Sequence, residues 1–217
     1  MKAVPHALIP LTVRQPYAVQ PMPLLPRPRI LPPMPTLFYL IGPPASGKRT
    51  IGQLLERQTG AILLDNHLWS DPIFRACGVT GHHELPVGLG PLREQVRLAV
   101  MAAARLAPPS VSHIFTNYLT AEAKEEETFG GMAELAKARG AVFVPVVLTC
   151  DREELARRID RPERQDRLKL KNPELLAALL DTRGAFGAPA GVPVLDTTEL
   201  EPEAAARQIA ALGGWKI

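Results

Sequence analysis

From Thr36 onward, short apolar runs alternate with longer stretches in which apolar residues recur every three or four positions. TLFYLI (36–41), AILLD (61–65), VSHIFT (111–116), AVFVPVVLTC (141–150) and VPVL (192–195) have the length and composition of buried strands. Between them, Ile51, Leu54 and Leu55 share one helical face, and Gly60 stops that helix. A second helix, opened by Pro91, carries Leu92, Val96, Ala99, Val100 and Ala103 along one side. Asp151 and Glu154 have the spacing of a capping box, Asn172 and Pro173 open a further helix, and the last helix begins near Pro202. An acidic segment from Ala121 is interrupted by Gly130 and Gly131, and residues 71–90 read as a looser region. Pro145 argues for a strand end, edge, bulge or local break in the strongest β run. Strands interleaved with helices predict an α/β fold: a five-stranded parallel sheet with helices on both faces.

The first strand and the first helix are joined by GPPASGKRT, which is Gly42, Pro43, Pro44, Ala45, Ser46, Gly47, Lys48, Arg49 and Thr50. Strand, glycine loop and helix in this order make a phosphate-binding P-loop, in which backbone N–H groups and a helix N-terminus surround an anion. Lys48 adds a mobile charge for the outer phosphates of a nucleotide. The pattern G-x-x-x-x-G-K-[ST] fails only at its last place, where Arg49 stands and Thr50 follows.

Composition narrows the picture. Of the 217 residues, 46% are hydrophobic and 22% charged, and no apolar run reaches the length that spans a bilayer, so no membrane partner is expected. Two cysteines, Cys77 and Cys150, suggest neither a disulfide framework nor zinc, which fits a cytoplasmic setting. Cys77, His82, His83 and Glu84 match no familiar metal spacing. The net charge of +3 is carried by residues 1–35, with four cations and no acid, leaving 21 basic against 22 acidic residues beyond them. That balance, with few aromatics, argues against a nucleic-acid partner. Ten of the first 35 residues are proline. Residues 1–35 are therefore expected to form a disordered or locally polyproline II arm, and residues 36–217 the folded domain. The arm is either a dispensable extension or precedes a true start at Met34, the alternative being a docking segment for an aromatic groove.

Ligands of open α/β sheets bind beyond the carboxyl ends of the strands. After the P-loop, those ends deliver Asp65, Asn66 and His67, then Thr116 and Asn117, then Asp151, then Asp196, Thr197 and Thr198. Asp65 is the candidate general base, and Asp65, Asn66, His67 and Asn117 are candidates for substrate binding. The segment 69–90 suits a mobile acceptor-binding region. Between Arg157 and Lys169, five arginines and one lysine stand among three acids, as a short Arg-rich lid over a triphosphate would require. Arg158 and Arg164 are its catalytic candidates.

GPPASGKRT, DNHL from Asp65, CDREELARRI from Cys150 and VLDTTELEPEAA from Val194 together resemble the P-loop small-molecule kinases, among them adenylate, shikimate and gluconate kinases and chloramphenicol phosphotransferase. Most similar is a set of bacterial AAA-type predicted kinases with the loop GPPAxGKxT and an Asn-His pair after the second strand. The resemblance runs from Leu37 to about Leu212. It implies a P-loop NTPase fold, ATP with Mg2+, Lys48 and the loop on the phosphates, Thr50 on the magnesium side, Arg158 and Arg164 in the lid, and Thr197 near the adenine. Two functions stay open: transfer of the γ-phosphate of ATP to a small-molecule acceptor, or nucleotide binding by an ATPase or regulator without transfer. The absence of N-K-x-D and of a strand ending in Asp-Glu disfavours a GTPase and a mechanical ATPase. Neither the acceptor nor the oligomeric state has a signature.

Overall fold

The computed structural model describes residues 34–161 and 168–216. In chain order the elements are β1 (Thr36–Ile41), α1 (Lys48–Thr59), β2 (Ile62–Leu64), α2 (His67–Ala76), α3 (Leu89–Leu106), β3 (His113–Asn117), α4 (Glu125–Ala138), β4 (Val142–Thr149), α5 (Arg152–Ile159), α6 (Pro173–Arg183), β5 (Val194–Asp196) and α7 (Pro202–Leu212). The strands form one parallel sheet in the order β2-β3-β1-β4-β5. β1 lies at its centre, and all six of its residues are buried, as expected for a strand covered on both faces.

The two-residue period of β1 divides the core. Phe38 and Leu40 face Ile51, Leu54 and Leu55 of α1 and Ala205, Ala206 and Ile209 of α7. Leu37, Tyr39 and Ile41 face Trp69 of α2, Ala104 of α3 and Met132, Leu135 and Ala136 of α4. The small alanines of α7 let it lie close to α1, so the helix behind the P-loop is braced along its length. Gly52 brings α1 against β2, since a Cβ there would lie 2.8 Å from Leu63 Cδ1.

Three local expectations change. The region from residue 71 opens as the second half of α2, because Trp69, Ser70 and Phe74 form a buried stripe that outweighs Pro72 inside the helix. α4 runs straight through Gly130 and Gly131. Its three glutamates in the first turn suit the positive end of a helix, and Met132, Leu135 and Ala136 anchor its second half in the core. Pro145 lies inside an unbroken β4, level with Tyr39 of β1. Residues 145 and 147 turn their N–H positions to the same side, where Val147 donates to the Pro193 carbonyl; β5 pairs with β4 only from Val147 on. The donor that Pro145 lacks would face the space before β5, so no ladder bond is lost.

Candidate functional site

At the carboxyl end of β1 the chain turns sharply. Gly42 donates its N–H to the Asn117 carbonyl at 3.2 Å, and a Cβ on it would lie 2.6 Å from the Leu148 carbonyl oxygen and 2.8 Å from Ser46 Oγ. Ala45 (φ 69°) and Gly47 (φ 86°) are left-handed. Ala45 is the one non-glycine residue with positive φ among the described residues, a conformation that costs about 1–2 kcal/mol. Strain of this kind collects at binding loops, where alternating backbone hands aim successive N–H groups at one point. α1 starts at Lys48 with no side-chain cap on its first turn. Its leading N–H groups have no helical partner and point where an anion would be held.

Lys48 curls back over the loop. Its Nζ donates to the Gly42 carbonyl at 2.7 Å and the Pro43 carbonyl at 2.6 Å. These bonds hold the ammonium over the loop. Pro43 and Ser46 are buried, Pro44 is half-buried, and Thr50 is exposed at the mouth of the loop.

Arg49 turns toward the end of β2, with its Nε 3.4 Å from Asp65 Oδ2. The same oxygen lies 3.8 Å from Lys169 Nζ. Asp65 is only 6% exposed, and its Oδ1 accepts the His67 N–H at 2.9 Å. Burial pushes the carboxyl's pKa up, but Lys169, the His67 N–H and ring, and Arg49 together hold it below its ordinary value. Asp65 was expected to be a general base; a carboxylate clasped by two cations is suited to holding charge rather than taking a proton. A cleft of about 190 Å3 opens beside this pair, between Gln53 and Glu56 of α1 and His67 and Leu68 of α2.

The candidate acceptor residues are tied into the frame. Asn66 donates its backbone N–H to Thr116 Oγ1 at 3.2 Å. His67 Nδ1 is 2.7 Å from Asp71 Oδ1; burial lowers its pKa against the opposing pull of Asp71. Asn117 accepts from the Tyr118 N–H and donates to the Tyr39 hydroxyl at 3.4 Å. Burial raises the pKa of that hydroxyl, which stays neutral.

On the other side of β1, Thr197 is fully buried, and its hydroxyl is shared between the Thr149 carbonyl at 2.8 Å and the Ser46 carbonyl at 3.2 Å. It was expected against the nucleotide, but it braces the P-loop from behind. Arg158 donates to Glu154 Oε1 at 2.5 Å and to the Thr197 and Thr198 carbonyls at 2.8 and 2.9 Å. Glu154, buried and also engaged by Arg157 and Arg161, collects these cations. The expected capping box is therefore absent: Asp151 caps nothing with its side chain, and Glu154 is committed elsewhere. Arg164 lies outside the described residues. Sequence reasoning missed Lys169 and the Arg49–Asp65 pair; only their place in a basic run and at a motif's failed position distinguished them.

No protein-family model matches the chain, and no curated protein matches it. Solved structures do. The chain is similar to a gluconokinase from Sinorhizobium meliloti 1021, at 14% identity over 83% of this chain and 93% of that one, with a TM-score of 0.55. A sugar kinase from Janibacter sp. HTCC2649 is 16% identical over 82% and 94% of the chains, at a TM-score of 0.54. An APS kinase from Mycobacterium tuberculosis, in complex with AMPPNP and APS, is 15% identical over 83% and 98%, at 0.53. The protein has the P-loop small-molecule kinase fold.

Within a P-loop kinase fold the fit of a magnesium ion rests on the groups around Lys48. Among the described residues no three His, Cys, Asp or Glu side chains gather as a cation site, and Asp65 is engaged by cations. The exposed Thr50 hydroxyl is what the first turn of α1 offers. That donor fits an ion delivered with the nucleotide and held chiefly by phosphate and water oxygens, as Mg2+ commonly is. No described helix is long and apolar enough to cross a membrane.

Proposed function

We propose that this protein binds ATP with Mg2+ and transfers the γ-phosphate to a small hydroxyl- or phosphate-bearing acceptor. The observation that carries this reading is the strained, uncapped loop at the end of the central strand, with Lys48 folded over its carbonyls. The shared fold of gluconate, sugar and APS kinases supports a small-molecule acceptor. In transfer, an acceptor oxygen forms a bond to the γ-phosphorus as the bond to the β–γ bridging oxygen breaks; that electron pair leaves with ADP, and the proton of a hydroxyl acceptor passes to water. Such chemistry asks the protein mainly to position groups and neutralise charge. Lys48 and the N–H groups of α1 serve the phosphates, with Thr50 on the magnesium side. Arg158 fixes the 196–198 turn beside the adenine. Asn66, His67 and Asn117 border the acceptor. A magnesium ion would supply neutralisation of the phosphate oxygens.

A second reading, a nucleotide-binding ATPase or regulator without transfer, is favoured by one observation: Arg49 occupies the place of the usual hydroxyl and is paired with Asp65. The experiment is ADP formation from ATP and Mg2+ across a panel of sugars, hydroxy acids, nucleosides and antibiotics. Stimulation above the acceptor-free rate by one class is expected. ATP binding with no stimulation by any class supports the second reading.

A further inference from the structure

α3 is the longest described helix, at 18 residues, yet only Leu89 and Ala104 of it are buried. Its inner side rests on the core through Val96, Val100, Met101 and Ala104. Arg93 is held on that side too, with its Nε on Ser70 Oγ at 3.1 Å and its guanidinium over the Phe74 ring. The outer side carries Leu92, Leu98, Ala99, Ala102, Ala103 and Leu106, all exposed. A helix that turns one side to water normally places charged and polar residues there. Here the three leucines are 45%, 51% and 86% exposed. Alanines are good helix formers in any setting, but these leucines leave an apolar face in water.

The face matches itself. Leu92, Gln95, Ala99, Ala103 and Leu106 follow one another at intervals of 3, 4, 4 and 3 residues, the same from either end. Two such helices laid antiparallel about Ala99 set Leu92 of each beside Leu106 of the other, Gln95 beside Ala103, and Ala99 against Ala99. Small residues at the middle let two helix axes approach closely, and leucines close the seam at its ends. A contact between two identical surfaces requires this symmetry, whereas an unrelated partner does not impose it.

The charges agree with the same pairing. Glu94 and Arg105 are eleven residues apart, close to three full turns, so both stand on one border of the face. In the antiparallel arrangement that border meets its own copy, which brings Arg105 of one copy next to Glu94 of the other at both ends of the seam. Glu94 is half exposed and accepts from Arg97 of its own chain, whereas Arg105 has no ion pair among the described residues. Arg93, which stands level with Arg105 of the other copy, is turned away over Phe74.

We propose that the outer face of α3 is a dimer interface, in which α3 pairs antiparallel with α3 of a second copy of this chain about a twofold axis at Ala99. The seam from residue 92 to residue 106 is about 21 Å long at 1.5 Å per residue. One helix pair of this length is near the lower bound of about 1,000 Å2 for a specific contact, so the dimer forms in the micromolar range. The contact uses no residue of the P-loop and stands or falls independently of the nucleotide reading.

The test is sedimentation equilibrium of the full chain. The wild type is expected to pass from monomer to dimer as its concentration rises through the micromolar range. Ala99→Glu sets two carboxylates against each other on the axis and should weaken the dimer by about a hundredfold or more, with an unchanged melting temperature of the monomer. Should that variant fail to fold, Leu106→Lys carries the same comparison. Disulfide formation under mild oxidation reads the register. Ala99→Cys should link two copies faster than the wild type, whose exposed Cys77 sets the background, and Gln95→Cys should not. A chain that stays monomeric up to about 100 μM, or a dimer that survives Ala99→Glu, would overturn the assignment. So would equal linking through residues 95 and 99. Ala99→Cys shielded from a thiol reagent in a monomeric chain would give the face to another segment of the same chain, and the dimer would fall.

Discussion

Single residues divide into those whose chemistry is visible in their type and those that act through a neighbour. Lys48 is of the first kind. Its Nζ already rests on the loop at 2.7 and 2.6 Å from two carbonyls. Lys48→Ala should lower ATP-dependent turnover by about 10²–10³-fold, the usual cost of removing one charge-stabilising donor at a reacting centre. Stability should fall by only about 1–2 kcal/mol, the net worth of side-chain bonds to backbone carbonyls. A turnover assay and a thermal melt on the same variant check both halves. Asp65 and Thr197 are of the second kind. Their positions at strand ends were legible, but their tasks were not. Whether a buried carboxylate acts as a base or a clasp is set by Arg49 and Lys169, and the latter is 104 residues away in sequence.

Elements were readable wherever apolar spacing was strong, and misread where glycine or proline stood inside a stripe that tertiary packing completes. α4 illustrates this. A Cβ at Gly130 or Gly131 would meet nothing within 4 Å, so these glycines weaken the helix without serving its packing. Gly130→Ala should stabilise the fold by about 0.5–1 kcal/mol, a rise in melting temperature of about 1–4 °C for a chain of this size. A fall would show that the helix needs a break there. The reverse holds for the turn after β5, whose buried hydroxyl joins β4 to the P-loop. Thr197→Val keeps the shape but takes the hydroxyl away from the Ser46 carbonyl and leaves the Thr149 carbonyl only the Thr197 N–H. It should cost about 1–3 kcal/mol and weaken ATP binding, measured by melting and by titration. Loss of stability with unchanged ATP affinity would show that the P-loop does not depend on this brace.

At the scale of the molecule, alternation of strand and helix was enough to predict a parallel α/β sheet. It did not give the order β2-β3-β1-β4-β5, which depends on which crossovers pass which face. That order sets β1, and the P-loop that follows it, in the middle of the sheet. Global stability should also carry a mark of His113, whose buried Nδ1 has no partner among the described residues. Burial, with Arg139 adding to it, pushes its pKa down to about 4 from 6.5. Between these values the unfolded chain takes up a proton that the folded chain refuses, so stability falls as pH drops from about 6.5 toward 4. From pH 7 to pH 5 the loss should be about 1–2 kcal/mol. Melting curves should show it in the wild type and largely lose it in His113→Leu; identical pH profiles would remove His113 as the cause.

The central claim is that a nucleotide held by this loop gives its terminal phosphate to a small molecule. Phosphorus-31 NMR of the chain with ATP, Mg2+ and the acceptor class that most accelerates ADP formation follows that phosphate directly. A phosphoester signal growing in step with ADP, and absent with Lys48→Ala, is the predicted result. Inorganic phosphate in place of the ester, or the same ester formation by Lys48→Ala, would contradict it.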